Sequence, residues 1–417
     1  MPPLLVVVLI VLVDLLGFTL VMPLLSPFAK QYRLSDAQVG LLFAAYPLCQ
    51  LIAGPILGRL SDRIGRRPVL AFSQAGTALS FVILGLSHDF TTMLLGRMLD
   101  GASGGNILVA QAYVTDVTRP EDRARGLGLI GAAFGVGFVL GPILGGLLVS
   151  LPIEPTWRLR VPFLVAAGFS TLAWVLVLAR LPESLPAKAE ARQAARVLSW
   201  RGLVDTASDA RVGLLVTVGA LVVLAFAALE GTYSLFLAER LGLSPRGAAF
   251  GFAFLGLVSA FVQGGLIRRL VPRFGEPRLL LTGIGAILIG FLAMTQVTSW
   301  AALLGATLII GIGQGLASPT VQGLLSRVTP ASEQGAVFGV LTSAQTLARL
   351  VNYVVATRLL GRFGPAAPFG EAAAIAAVAL LLAVGIIAGR IGFDLSGRRP
   401  PAPDGDRLAA EMAEHGG

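Results

Sequence analysis

The sequence predicts an all-α integral membrane protein, with twelve transmembrane helices arranged as two pseudo-symmetric six-helix bundles. Three observations carry this expectation. The 417 residues are 55% apolar and only 13% charged, with a mean hydropathy of +0.81, well outside the soluble range. Apolar runs of about 20 residues, the length that crosses a bilayer as helix, recur along the whole chain. Most of them lack the polar face that a water-exposed helix keeps, and runs of that length favour helices over a membrane barrel. Finally, short segments repeat at about half the chain length.

In order, the expected spans are 4–27, 37–58, 68–87, 91–114, 124–149 and 161–181, then 212–237, 246–268, 278–297, 300–325, 334–358 and 370–391. The first run is too long for a removed signal peptide, lacks a basic leader and contains Asp14, so it reads as a retained span. A polar linker, 182–211, opens with LPESLPAK. Its segment EARQAARVLSWRGL reads either as a solvated linker helix or as a short basic amphipathic helix with Trp200 at the lipid boundary. From 394 to 417 the composition is that of a disordered tail. The expected organisation is therefore a bundle over 1–181, a linker over 182–211, a second bundle over 212–393 and a tail.

The repeat relates the halves at a nearly constant offset. Arg63-Ile64-Gly65 matches Arg273-Phe274-Gly275, and Leu34-Ser35 matches Leu243-Ser244. Val117-Thr118, followed by Asp122 and Gly128, matches Val328-Thr329, followed by Glu333 and Gly339. Each match sits at an equivalent helix end. Repeats of this kind place a substrate site between the halves, near mid-membrane.

A net charge of +9 raises nucleic acid as a partner, and the distribution of charge argues against it. Of the 32 Lys and Arg, 22 fall on the side holding 59–67, 115–125, 180–211, 268–278, 327 and the C-terminus, and 8 on the other. Arg97 and Arg349 lie inside spans. The positive-inside rule then puts both termini and the linker in the cytoplasm, for a protein of the cell inner membrane. Cys49 is the single cysteine, so no disulfide framework exists. His88 and His415 lie outside the spans, which leaves proton chemistry to carboxylates. No metal-spaced cluster, phosphate loop or nucleophile–histidine pair appears, so neither an enzyme nor a bound cofactor or metal is expected.

The motifs carry a resemblance. GRLSDRIGRRP, residues 58–68, resembles the loop signature of the major facilitator superfamily, with Gly58, Asp62, Arg63, Gly65, Arg66 and Arg67 in register. GRMLDGASGGN in the fourth span is similar to that family's arginine–glycine element, through Arg97 and Gly101. GFVLGPILGG in the fifth resembles the antiporter signature, through Gly137, Gly141, Pro142, Gly145 and Gly146. LVDLLGFTLVMPLL, with Asp14, is similar to the first helix of drug:proton antiporters, the tetracycline/proton antiporters especially. The resemblance covers essentially the whole chain. It implies that the loop latches the two halves in the outward-open state, that Arg66 pairs with Asp116 at the end of the fourth span, and that a tight fifth helix limits proton leak. The second half is expected to lack this device, because Pro272 and Arg327 stand where Asp62 and Asp116 would be. Two departures from the tetracycline pumps stand out: spans 68–87 and 278–297 contain no acid, and the eleventh reads RLVNY where many relatives have Gly-Pro.

On the residues alone, four loop arginines also serve topology, and glycines at 137, 141 and 145 form a smooth stripe suited to close packing. Ionisable groups in mid-membrane cost about 2.5–3.5 kcal/mol each on insertion scales, so each needs a reason. Asp14 is the first candidate for proton coupling, since burial disfavours a charged carboxylate and lets it accept a proton; the alternative is a salt bridge that holds helices together. Glu230 and Arg349 either pair statically or serve substrate and proton. Arg97 and Asp100, three apart, either neutralise each other or, as the resemblance implies for Arg97, relay protons. Tyr46, Gln50, Asn106, Gln263, Gln314 and Asn352 are candidate cavity residues or interhelical hydrogen-bonding groups. The reading is a secondary active transporter exporting a small amphipathic or organic compound against protons. It acts by alternating access as a monomer, with lipid, protons and substrate as its partners. A proton-coupled symporter or a carrier of sugars, organic anions or lipids is the alternative within the fold, and a non-transporting receptor or scaffold the alternative outside it.

Overall fold

In the computed structural model, residues 3–119, 122–184, 210–329 and 333–385 are described. Helix lies over each of the twelve expected spans. These are α1 (Pro3–Gln31), α2 (Asp36–Ile64), α3 (Arg66–Leu86), α4 (Phe90–Ser103 and Asn106–Val117), α5 (Arg123–Leu148), α6 (Val161–Arg180), α7 (Ala210–Leu241), α8 (Pro245–Phe274), α9 (Glu276–Thr295), α10 (Trp300–Val328), α11 (Gln334–Phe363) and α12 (Ala367–Gly385). Ten of these segments are long and apolar enough to cross a membrane. The other two are α4, interrupted at Gly104-Gly105, and α11, which carries Arg349, Arg358 and Arg362. The expected linker helix around Trp200 and the tail from 394 lie outside the described residues.

Local chemistry sets the ends. Ser35 caps α2 by accepting the Gln38 amide while the Gln38 side chain accepts the Ser35 amide, a reciprocal capping box. Asp89 accepts the Thr92 amide at 3.0 Å to start α4, and this bond holds its carboxyl below the usual carboxylate range. Gly65 (φ +111°) and Gly275 (φ +77°) separate α2 from α3 and α8 from α9, a backbone that glycine alone adopts without strain. Pro23 interrupts α1 with a tight turn over Met22–Leu24, since proline cannot donate to the helical ladder. In α8 a π-helical turn spans Val262–Leu266.

The packing is two-fold pseudo-symmetric. α1 packs on α5 and α6 as α7 packs on α11 and α12; α3 packs on α4 and α6 as α9 packs on α10 and α12; α2 packs on α4 as α8 packs on α10. Two equivalent seams join the halves, α2 with α11 and α5 with α8. Both are tight at the end opposite the basic loops. A Cβ on Gly40 would strike Thr357, one on Gly361 would lie 2.8 Å from Asp36, and one on Gly256 would strike the Phe138 carbonyl. On the same helices nearer the basic end, Gly58, Gly128, Gly131, Gly264, Gly335 and Gly339 face open space. The divide between the halves is sealed at one end and open at the other.

The seams keep a constant antiparallel register. Gly146 meets Ala249, Phe138 meets Gly256 and Gly135 meets Ala260, so each step down α5 matches an equal step along α8. Four residues beyond the last contact, one helical repeat, stand Gly131 and Gly264. On the other seam Phe43 meets Tyr353, and the same equal steps bring Gly58 within one residue of Gly339. Closure of the basic end in this register sets glycine against glycine on both seams, which lets backbones approach closely. Cysteines at 131 and 264, in a chain carrying Cys49→Ala, are therefore expected to form a disulfide whenever the basic end closes. Cross-linking no faster than between cysteines at 128 and 264 would reject the register.

Candidate functional site

In the N-terminal half the membrane-embedded charges are settled by close partners. The Gly104-Gly105 break restarts α4 at Asn106, whose amide donates to Asp14 Oδ2 across to α1. Asp14 is 7% exposed, and its other oxygen, Oδ1, has no hydrogen-bond partner among the described residues. Two turns before the break, Arg97 Nη1 donates to Asp100 Oδ2 at 2.9 Å and Nε donates to the Leu42 carbonyl of α2 at 3.2 Å. Its guanidinium lies 5.0 Å from the centre of the Tyr46 ring, within cation–π range. Gln50 donates to the Tyr46 hydroxyl and to the Gly104 carbonyl. Tyr46, Gln50 and Asn106 thus join one cluster spanning α1, α2 and α4. The Arg97–Asp100 pair, buried on both sides, is the local neutralisation that the spacing allows.

In the C-terminal half, Arg349 Nε on α11 donates to Glu230 Oε2 on α7 at 3.2 Å. The same oxygen accepts the Tyr353 hydroxyl at 2.8 Å. Glu230 is buried, while the Arg349 side chain keeps 37% of its exposure. Of the charges in this region, Arg349 is the one open to a ligand; Asp14, Arg97, Asp100 and Glu230 are all buried. Asn352 donates to the Leu224 carbonyl of α7. Gln263, exposed in the π turn, and Gln314, on α10, join neither cluster by a hydrogen bond among the described residues.

The arginine-rich loop folds onto its own half around Arg66. That guanidinium pairs with Asp62 at 2.6 Å and Asp116 at 3.1 Å and donates to Ser61. Glu183, just after α6, accepts the amides of Arg66 and Arg67, as an acid at a helix N-terminus should. Arg67 donates to the Leu178 carbonyl, whereas Arg63 is exposed. The ion pair that Asp62 makes among the described residues stays within its own half.

The second half has no carboxylate at Pro272, where Asp62 would stand, but the expectation that it also lacks the Arg66–Asp116 pair is corrected. Arg327 Nε lies 2.6 Å from Glu276 Oε2, and by the repeat offset Glu276 replaces Arg66 while Arg327 replaces Asp116. The pair is retained with its polarity reversed. Matching single residues to Asp62 and Asp116 missed it, because both members had changed.

The antiporter-like stripe divides its contacts. Gly137, Gly141 and Gly145 face α1: a Cβ on Gly141 would strike Thr19, and one on Gly145 would lie 2.8 Å from the Leu20 carbonyl. Thr19 donates to the Gly137 carbonyl at 2.7 Å. Gly146 instead faces α8 across the seam, and Pro142 sits within α5. Three functional candidates escaped the sequence reading. Tyr353 could have been found from its place four residues after Arg349, on the same helix face. Glu371, in the first turns of α12 with Oε2 buried and without a hydrogen-bond partner among the described residues, resembles a span-edge residue in sequence. Glu183 reads as linker, and only the fold brings it to the loop.

The profile described as Major Facilitator Superfamily matches residues 7–351 and 265–411. A tetracycline resistance protein, class D, of Salmonella ordonez is 32% identical over 353 residues, covering 83% of this chain and 86% of its own. Major facilitator superfamily domain-containing protein 10 of Bos taurus is 31% identical over 402 residues, 83% of this chain and 84% of its own. Among solved structures, the human organic anion transporter MFSD10 (TETRAN) superposes with a TM-score of 0.68 at 27% identity, over 91% of this chain and 98% of that one. A bacterial homolog of the human lysosomal transporter Spinster, inward-facing and occupied, superposes with a TM-score of 0.78 at 18% identity, over 96% and 98%.

Glu230→Gln leaves the Arg349 guanidinium without its counter-ion. The expected loss is about 3 kcal/mol, the low end for a broken buried pair, because Arg349 retains some exposure. Glu230→Gln with Arg349→Gln should recover most of it, as read by thermal unfolding of the purified protein. A double variant no more stable than the single one would show that the pair is not what the two helices share.

Proposed function

The chain belongs to the major facilitator superfamily, and we propose that it is a proton-driven exporter of a small amphipathic or organic compound. It is a multi-span membrane transporter and not an enzyme; substrate and coupling ion are the proposal. The observation that carries it is charge held in mid-membrane on the helices bordering the divide, Asp14 on α1 and the Glu230–Arg349 pair between α7 and α11. Groups so placed are expensive unless they serve transport. The tetracycline resistance relatives, at about 30% identity over most of the chain, support efflux.

In this reading the basic end is cytoplasmic, both termini are cytoplasmic, the membrane is the inner membrane, and the open divide is the inward-open state. The bundles, 1–181 and 212–393, rock about the sealed seams as a monomer. Asp14, whose Oδ1 has no hydrogen-bond partner among the described residues, accepts the coupled proton; Glu230 and Arg97 are the further coupling groups. Tyr46, Gln50, Asn106, Gln263, Gln314, Arg349 and Asn352 contribute to the cavity. In the outward-open state the loop of Gly58, Asp62, Arg63, Gly65, Arg66 and Arg67, held by Asp116, meets the start of α11.

A second reading concerns the substrate. The name of the human relative, an organic anion transporter, and the exposure of Arg349 both favour a substrate with an acidic group. Its guanidinium offers donors in a planar fork suited to a carboxylate.

Asp14→Asn mimics the protonated acid. Uphill, gradient-driven efflux from proteoliposomes is expected to vanish, while exchange of substrate for substrate survives because no net proton moves. Tetracycline and an aromatic carboxylate serve as the two trial substrates. Uphill efflux of either at the wild-type rate in Asp14→Asn would move the coupling role to another group.

A further inference from the structure

We propose that Tyr353 is the positioning residue through which the Glu230–Arg349 pair holds the sealed end of the transporter shut. The inference rests on the transporter reading above and adds to it a link between site and gate. Tyr353 touches both. Its hydroxyl donates to Glu230 Oε2 at 2.8 Å, sharing that oxygen with Arg349. Its ring lies 5.3 Å from the ring of Phe43 on α2, across the seam between the halves. Its carbonyl stands 2.8 Å from where a Cβ on Gly40 would be, and its Cδ1 3.2 Å from where one on Gly231 would be. The side chain is therefore wedged between α7, which carries the acid, and α2 of the other half, and it is buried.

The chemistry gives the link a direction. A hydrogen bond to an ionised carboxylate is roughly twice as strong as one between neutral groups. While Glu230 is charged and held by Arg349, Tyr353 is anchored toward α7, with its ring set against Phe43. Two events weaken that anchor: a proton on Glu230, or a cationic substrate group competing for its oxygens. Each leaves Tyr353 with a weaker partner, and the seam loses the anchor that sets the Tyr353 ring against Phe43. Occupying the site then favours opening of the sealed end. The other charged and titratable groups nearby, Arg97 and Tyr46, belong to the opposite half and are held by Asp100, Leu42 and Gln50, so they remain in place as the pair changes.

The test measures the sealed end directly and needs no substrate, so its failure is distinct from a failure of the transport reading. Spin labels go on Arg33→Cys and Arg362→Cys, exposed positions of the two halves near that end, with Cys49→Ala, in the full chain reconstituted in nanodiscs. The distance distribution reports the ratio of open to closed. Tyr353→Phe keeps the ring and removes only the hydroxyl; it should raise that ratio about tenfold, the loss expected for one bond to a charged group. Glu230→Gln should raise it similarly, and the two together no further than either alone, because they remove the same interaction. A merely structural hydroxyl would lower the unfolding temperature and leave the distances unchanged. That result, or additive effects of the two substitutions, overturns the proposal. If Glu230→Gln fails to fold, Glu230→Gln with Arg349→Gln takes its place, with the same expected ratio as Tyr353→Phe.

Discussion

Hydrocarbon cannot solvate a charge, and that constraint organises this molecule more than any single contact. Each ionised side chain between the membrane faces must find its counter-charge or donor in the protein. The embedded charges do this in three ways. Arg97 and Asp100 neutralise each other on one helix. Glu230 and Arg349 do so between two helices of one half. Asp14 relies on the amide of Asn106. The order of these solutions is also an order of readiness to change. A pair on one helix moves as a unit, a pair between helices registers their separation, and an acid held by a neutral amide has room for a proton. The helix break at Gly104-Gly105 belongs to the same scheme, since it delivers Asn106 to Asp14 and gives Gln50 a free carbonyl.

Small residues supply the second organising element. Lipid offers helices no hydrophobic drive to associate, so close approach and dispersion must hold the halves together. The seams are tight where glycine meets side chain or carbonyl and part where glycines look into open space. The same helices therefore carry both an assembled interface and one awaiting assembly. A transporter needs such an interface at each end and must never hold both closed or both open for long. The arginine-rich loop sits beside the open one, folded on its own half around Arg66.

Much of this was legible in the chain itself. Runs of apolar residues gave the spans because the bilayer imposes a length, and Gly65 with Gly275 marked equivalent corners because the turn excludes other residues. Asp14, Glu230 and Arg349 stood out because a charge in an apolar run is conspicuous. Less legible were features that depend on three dimensions. Tyr353 is an ordinary amphipathic aromatic until the fold sets its hydroxyl on Glu230. Glu183 lies in a stretch that reads as linker, although its carboxylate caps a helix more than a hundred residues earlier. The break in α4 was hidden because glycine pairs are common in membrane helices. Gln263 and Gln314 stand out by polarity alone, and polarity does not say which way a residue points.

The reversed ion pair has a consequence for ancestry. If the halves descend from one duplicated unit, the corner of that unit was built with one polarity, and one copy has since exchanged both members. A single exchange would have set like charges face to face, arginine with arginine or glutamate with aspartate, at the turn that fixes the entry to the third helix of its half. The two changes are therefore bound to each other, and the halves are no longer interchangeable parts. Moving α3's first turn into the second half would place Arg66 against Arg327, and moving α9's into the first would place Glu276 against Asp116.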